Sequence, residues 1–267
     1  MRKIIAVILC LVMALGLVAC NQPAANNEGD GEKEVKKLAF KDSIGTELGS
    51  VHVETEGVDY SAMKIGFIHI SDPSDMGYTY NHELGTKEMQ EALGLRDDQI
   101  ISKYNVPEGA ECDTALRELA ESGCNIIFAT SFGYEDYVKE VAAEYPNIQF
   151  CHATGYQAAS SGLSNFHNYF ASIYEARYLA GIAAGLKTET NKLGYVAAYP
   201  FAEVISGYTA FYLGAKSVNP DVTMEIMYTN AWNDPTVESQ VAKALIDRGC
   251  DVISQHSDST APATTAE

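Results

Sequence analysis

Positive charge is in short supply in this sequence. Its 18 Lys and Arg face 36 Asp and Glu, a formal net charge of −18. Nucleic acids are held by clustered basic side chains that neutralise phosphates, so a chain this acidic argues against them as partners. Metal-binding patterns are missing too. Of six cysteines, Cys10 and Cys20 lie in the first twenty residues, and Cys112, Cys124, Cys151 and Cys250 form neither a CxxC pair nor a zinc spacing. Most of these four sit in or beside apolar runs, which predicts buried free thiols in place of disulfides. The six histidines are scattered, and none forms an H-x3-H pair with a neighbouring acid. Asp72 and Asp75 lack the alternating oxygens and closing Glu of a calcium loop. Neither a metal nor a cofactor is expected.

Catalytic signatures are equally absent. There is no G-x-S-x-G elbow and no G-x-G-x-x-G turn. The segment "GIAAGLKTET" has the composition of a phosphate loop but closes a helix where such a loop opens one, so its N–H groups point the wrong way. Gly181 and Gly185 within it predict close helix packing. No catalytic residue is assigned, and the chain is not expected to be an enzyme.

Long apolar runs are missing except at the start. Arg2 and Lys3 precede an apolar stretch from Ile4 to Ala19, too short and too close to the N-terminus for a spanning helix. It ends in Leu17-Val18-Ala19-Cys20, which looks like a bacterial lipobox. Residues 1–19 are read as a lipoprotein signal peptide and Cys20 as the lipidation site, which places the protein on the extracytoplasmic face of the cell membrane with a lipid anchor. Residues 20–37, polar and without apolar period, read as a disordered tether. Residues 38–62 stay unassigned, although "VHVETEGV" alternates briefly like an edge strand.

From Met63 the pattern is regular. Short apolar segments alternate with stretches of helical period, for example Cys112, Ala115, Leu116 and Leu119 on one face. Such alternation predicts an α/β fold with parallel sheets and crossover helices. Two runs, split near Lys187–Lys192, predict a first lobe over 63–188 and a partial second lobe over 189–267. The second run has only three strands, which would leave an edge uncovered; a truncated second lobe is expected.

In open parallel sheets, ligands sit at the carboxyl ends of the strands. Here those ends are chemically alike: Asp75-Met76-Gly77-Tyr78, Thr130-Ser131-Phe132-Gly133-Tyr134, Tyr199-Pro200-Phe201-Ala202-Glu203, Thr229-Asn230-Ala231-Trp232 and His256-Ser257-Asp258. Turn and cap preference explains the Asp, Ser and Asn. It does not explain the repeated aromatics, among them the one Trp of the chain. Rings that stack beside directed hydrogen-bonding groups suit a small, flat, polar ligand.

With those loops aligned, the chain resembles the basic membrane protein (BMP) family of substrate-binding lipoproteins from ABC importers. The resemblance rests on "DMGYTYNHELG", "FATSFGYEDYVKEVAAEYPNIQF", "YEARYLAGIAAG", "LGAKSVNPDV", "NAWNDP" and "GCDVISQHSDS", in that order. It implies a type I periplasmic-binding-protein-like two-lobed fold, a purine base or nucleoside as ligand, and an ABC permease as partner. It also implies that Tyr78, where a Trp is more usual, stacks on the ring, with Asp75 or Thr79 beside it. Ser131 and Phe132 would approach from the same lobe, and Glu203, Trp232 and Asp258 from the other. Two rival functions share the scaffold: a ligand-sensing surface regulator and a nucleoside-processing enzyme. The enzyme would need an acidic metal cluster, of which Asp72 and Asp75 fall short.

Overall fold

The computed structural model describes residues 35–41, 47–54 and 60–267. The expected signal peptide and lipidated Cys20 lie outside the described residues. The described chain divides into two compact units, one reaching to Met63 and including Leu84–Gln99, the other comprising Lys64–Glu83 and Ile100–Glu267.

In the first unit, β1 (Val35–Lys41) and β2 (Glu47–Glu54) form an antiparallel pair. β1 thus begins within the residues read as a tether, and β2 falls in the segment that periodicity left unassigned.

The second unit holds two parallel sheets. The first is built from β3 (Ile65–Ile68), β4 (Ile100–Lys103), β5 (Ile126–Ala129), β6 (Gln149–Ala153) and β7 (Phe166–Tyr169), in the order β4-β3-β5-β6-β7. The helix α1 (Tyr78–Leu93) follows β3, α2 (Ala110–Glu121) follows β4 and α3 (Glu135–Glu144) follows β5; the short α4 (Ala158–Ser161) precedes β7. Apolar spacing decides how α2 and α3 pack. Cys112, Leu116 and Leu119 of α2 and Val138 and Val141 of α3 join Ile127 and Phe150 in one buried core. Filling such a core removes about 25 cal/mol of unfavourable hydration per Å² of apolar surface.

Helix α5 (Ile173–Lys187) leads to the second sheet, of β8 (Lys192–Ala197), β9 (Thr223–Tyr228) and β10 (Val252–His256), in the order β10-β8-β9. Between these strands run α6 (Ala202–Val218) and α7 (Pro235–Asp247), and α8 (Ala261–Ala266) follows. Helices α5 and α6 approach through glycine, as the small-residue spacing predicts. A Cβ on Gly181 would lie 1.9 Å from the Phe211 carbonyl oxygen, and one on Gly185 would lie 2.6 Å from that of Ala215. Pro235 opens α7, and the Asp234 side chain caps it by accepting from the N–H groups of Thr236 and Val237.

Cys112, Cys124, Cys151 and Cys250 are all free and buried. Among the described residues no helix is long and apolar enough to cross a membrane.

Candidate ligand-binding site

The loop after β3 is built around one carboxylate. Pro73 opens a 3-10 turn that Asp72 caps, and Met76 takes a left-handed conformation at φ 52°. Asp75 then turns back onto the start of α1. Its Oδ1 accepts from the N–H groups of Gly77 (2.9 Å) and Tyr80 (3.0 Å), and its Oδ2 from that of Thr79 (2.8 Å). Orphan N–H groups at a helix start need such a partner. Asp75 is therefore the cap of α1, and its oxygens are already engaged. The Thr79 hydroxyl is buried and has no hydrogen-bond partner among the described residues.

The loop after β5 depends on Glu108, which follows β4. Its Oε1 accepts from the Ser131 hydroxyl at 2.5 Å and from the Gly133 N–H at 2.7 Å. Beneath lies a buried relay. Asn168 Nδ2 donates to Glu135 (3.1 Å) and to His152 Nδ1 (3.2 Å), which leaves His152 Nε2–H to donate to the Ser131 carbonyl (2.8 Å). Burial lowers the pKa of His152, in keeping with this neutral tautomer. Ser131 is thereby a support of the loop on both its hydroxyl and its carbonyl side.

From the second sheet come Tyr199, Phe201 and Trp232. Phe132 stacks on Phe201 with centroids 4.7 Å apart, Phe201 on Tyr199 at 5.1 Å, and Tyr199 meets the edge of Trp232 at 5.2 Å. A continuous aromatic row thus joins the strand ends of both sheets. Polar contacts run beside it: Asn233 Nδ2 donates to Ser71 Oγ at 2.6 Å, and the Asp258 N–H donates to the Trp232 carbonyl at 2.8 Å.

Acids crowd the same junction. Burial, and then Asp75, Glu238, Glu203 and Glu108, push the Asp258 carboxyl well above the carboxylate range. Burial pushes Glu203 up to about 7, and Glu108 adds to this. The Thr154 hydroxyl pulls Glu203 back down, although neither it nor Glu203 Oε2 closes a well-formed hydrogen bond. Tyr78 is half-buried, with a hydroxyl raised by burial and then by Tyr169, Asp258, Glu203 and Tyr134. A crevice of about 260 Å³, lined by Asp75, Ser239, Ser259 and Thr265 among others, adjoins the junction.

The structure brings Tyr78, Glu203 and Asp258 together, with Asp75 against them, and gathers Phe132 and Trp232 into the aromatic row. Sequence reasoning noted Tyr199 and Phe201 at a strand end without giving them a contact, and it missed Glu108, Thr154 and Asn233 as participants. Glu108 was findable: it stands in the loop after β4, the one strand end of the first three whose chemistry drew no notice. Chemically, the junction offers ring faces, carboxyl oxygens and buried groups without partners among the described residues, among them Thr79 Oγ1, Trp232 Nε1 and Asn233 Oδ1. No group of His, Cys, Asp and Glu suited to a metal occurs among the described residues.

Residues 62–266 match the family model Bmp, described as ABC transporter substrate-binding protein PnrA-like. The chain belongs to this family. A purine-binding protein of Brucella abortus is 41% identical over 220 residues, covering 82% of this chain and 59% of that protein. A putative ABC transporter glucose-binding protein of Haloferax volcanii is 37% identical over 225 residues, covering 83% and 56%. The Bmp chain thus spans less than two thirds of the length of these relatives. Among solved structures, an ABC transporter solute-binding protein from Aeropyrum pernix K1 matches with a TM-score of 0.66 at 20% identity, over 76% of this chain and 58% of that one. One from Conexibacter woesei matches at 0.59 and 20%, over 76% and 67%. These likenesses are of fold, and they agree with the α/β architecture of parallel sheets of periplasmic-binding type that the sequence predicts. Members of this Bmp family are substrate-binding proteins of ABC transporters, not enzymes.

Proposed function

We propose that this protein captures a purine base or nucleoside for an ABC importer and hands it to the permease, while Cys20 carries the lipid that holds it at the extracytoplasmic face of the membrane. Two lobes, residues 63–188 and 189–267, would close over the ligand without any chemical step. The observation that carries the ligand class is the aromatic row Phe132–Phe201–Tyr199–Trp232 at the strand ends that also carry Glu203 and Asp258, whose carboxyl groups act on the Tyr78 hydroxyl. Flat heteroaromatic rings stack on such faces, and their N–H groups, or ribose hydroxyls, donate to such oxygens. The name of the Brucella relative points the same way. Thr79, Trp232 Nε1 and Asn233 Oδ1 supply the remaining directed contacts.

The name of the Haloferax relative favours a second ligand, a hexose, which aromatic faces and carboxyl groups also suit. Trp232 is the one Trp of the chain, so its intrinsic fluorescence reports on this junction alone. Titration with adenosine and hypoxanthine is expected to change that emission saturably, with glucose inert. A saturable response to glucose alone would replace the purine reading with the hexose one.

A further inference from the structure

A side-chain hydrogen bond spans the strand ends of the two sheets. Ser71 lies in the loop after β3 and Asn233 in the loop after β9, 162 residues apart, yet Asn233 Nδ2 donates to Ser71 Oγ at 2.6 Å. Both ends are held. Ser71 is buried, and its carbonyl accepts from the Asn105 N–H at 3.1 Å, which ties it to the loop after β4. On the other side, the Trp232 carbonyl accepts from the Asp258 N–H at 2.8 Å. The Asp234 N–H donates to Glu238 Oε1 at 3.0 Å, so the backbone is fixed immediately before and after Asn233. The other half of the Asn233 amide is unfinished. Its Oδ1 is buried and has no hydrogen-bond partner among the described residues.

A buried amide oxygen left without a donor is a penalty on the arrangement that buries it, and a donor from outside the protein removes that penalty. An amide also offers donor and acceptor on one rigid plane, so what fills one side is positioned against what the other side holds. We propose that Asn233 is a latch: its N–H holds Ser71 across the two sheets, and its oxygen takes a hydrogen bond from a ligand N–H or hydroxyl. The latch rests on the reading of this junction as the ligand site, and it adds how capture is tied to closure. A ligand that completes the amide binds the shut arrangement better than the open one, and it shifts the lobes toward the shut one. Loss of the latch therefore shows chiefly in how fast the ligand leaves, since reaching an open junction does not use it.

The test is stopped-flow fluorescence of Trp232 in the purified protein, with adenosine, hypoxanthine and glucose as probes. Ser71→Ala removes only the bond between the sheets, and dissociation of the bound probe is expected to be about fivefold faster, with association little changed. Asn233→Ala removes both bonds and is expected to speed dissociation further. The double variant is expected to dissociate no faster than Asn233→Ala, because the two residues act through one contact. Ser71→Thr keeps the hydroxyl and is expected to recover part of the slow dissociation, which a general loosening of the loop would not allow. Dissociation from Ser71→Ala at the wild-type rate, or a double variant whose effect is the product of the two single ones, overturns the latch and leaves the ligand reading standing. A wild-type protein that binds none of the three probes overturns the ligand reading, and the latch with it.

Discussion

Gly77 and Asp258 touch at the backbone: a Cβ on Gly77 would lie 1.6 Å from the Asp258 carbonyl oxygen, and the next N–H, that of Tyr78, donates to that oxygen at 3.4 Å. Gly77 belongs to the loop after β3 and Asp258 to the loop after β10, so the absence of a side chain at one position lets the strand ends of the two sheets meet. Gly77→Ala is expected to push them apart, costing about 1–3 kcal/mol of stability by analogy with overpacking and weakening ligand capture. Chemical denaturation and ligand titration of the variant check both effects. Unchanged values in both would show that the contact is dispensable.

Asp75 engages three N–H groups at the start of α1, so its first duty is structural. Asp75→Ala is expected to cost about 0.5–2 kcal/mol, the range for lost helix caps, and to perturb Tyr78 through the loop. A denaturation midpoint equal to that of the wild type would dissociate the carboxylate from the helix.

His152 holds the Ser131 carbonyl from below, and its neighbours Asn168 and Glu135 are polar and buried or half-buried. His152→Leu would leave these groups unsatisfied, at a cost of about 1–3 kcal/mol. His152→Gln, which can still donate, is expected to recover part of that loss. Equal stability of the two variants would contradict the relay.

The acid crowd makes stability depend on pH. Glu203 is raised from the ordinary carboxylate range to about 7, so the folded protein binds this proton more tightly than the unfolded chain. Its contribution is fully present below the unfolded-state pKa and is lost as pH rises through about 7. The buried His69, whose pKa falls to about 3, acts in the opposite sense below its unfolded-state value. The informative quantity is therefore the difference between wild type and Glu203→Gln. The thermal midpoint of the wild type is expected to fall relative to the variant between about pH 5 and pH 8. A constant difference across that range would show that Glu203 does not titrate as its burial requires.

Much of this arrangement was legible in the sequence because it rests on local rules. The period at Cys112–Leu119 marked the core face of α2, and the strand-end rule placed Tyr78, Phe132, Glu203, Trp232 and Asp258 in the segments that follow strands, where the structure has them. What was not legible is which atoms are already taken. Asp75 and Ser131 look free in sequence, yet one caps a helix and the other braces Glu108. Glu108 itself sits 23 residues from Ser131 in the chain, and only pairing of β4, β3 and β5 brings them together. The aromatic row joins Phe132 to Phe201 and Tyr199 across two sheets, a proximity that no local pattern encodes.

The most direct measurement is calorimetric titration of the purified protein and of Tyr78→Ala with adenosine, hypoxanthine and glucose. The account predicts saturable binding of a purine by the wild type, no binding of glucose, and a loss of about 1–2 kcal/mol of purine affinity in the variant, the scale of a stacked aromatic contact. Glucose binding without purine binding, or purine affinity unchanged by the loss of Tyr78, would contradict it.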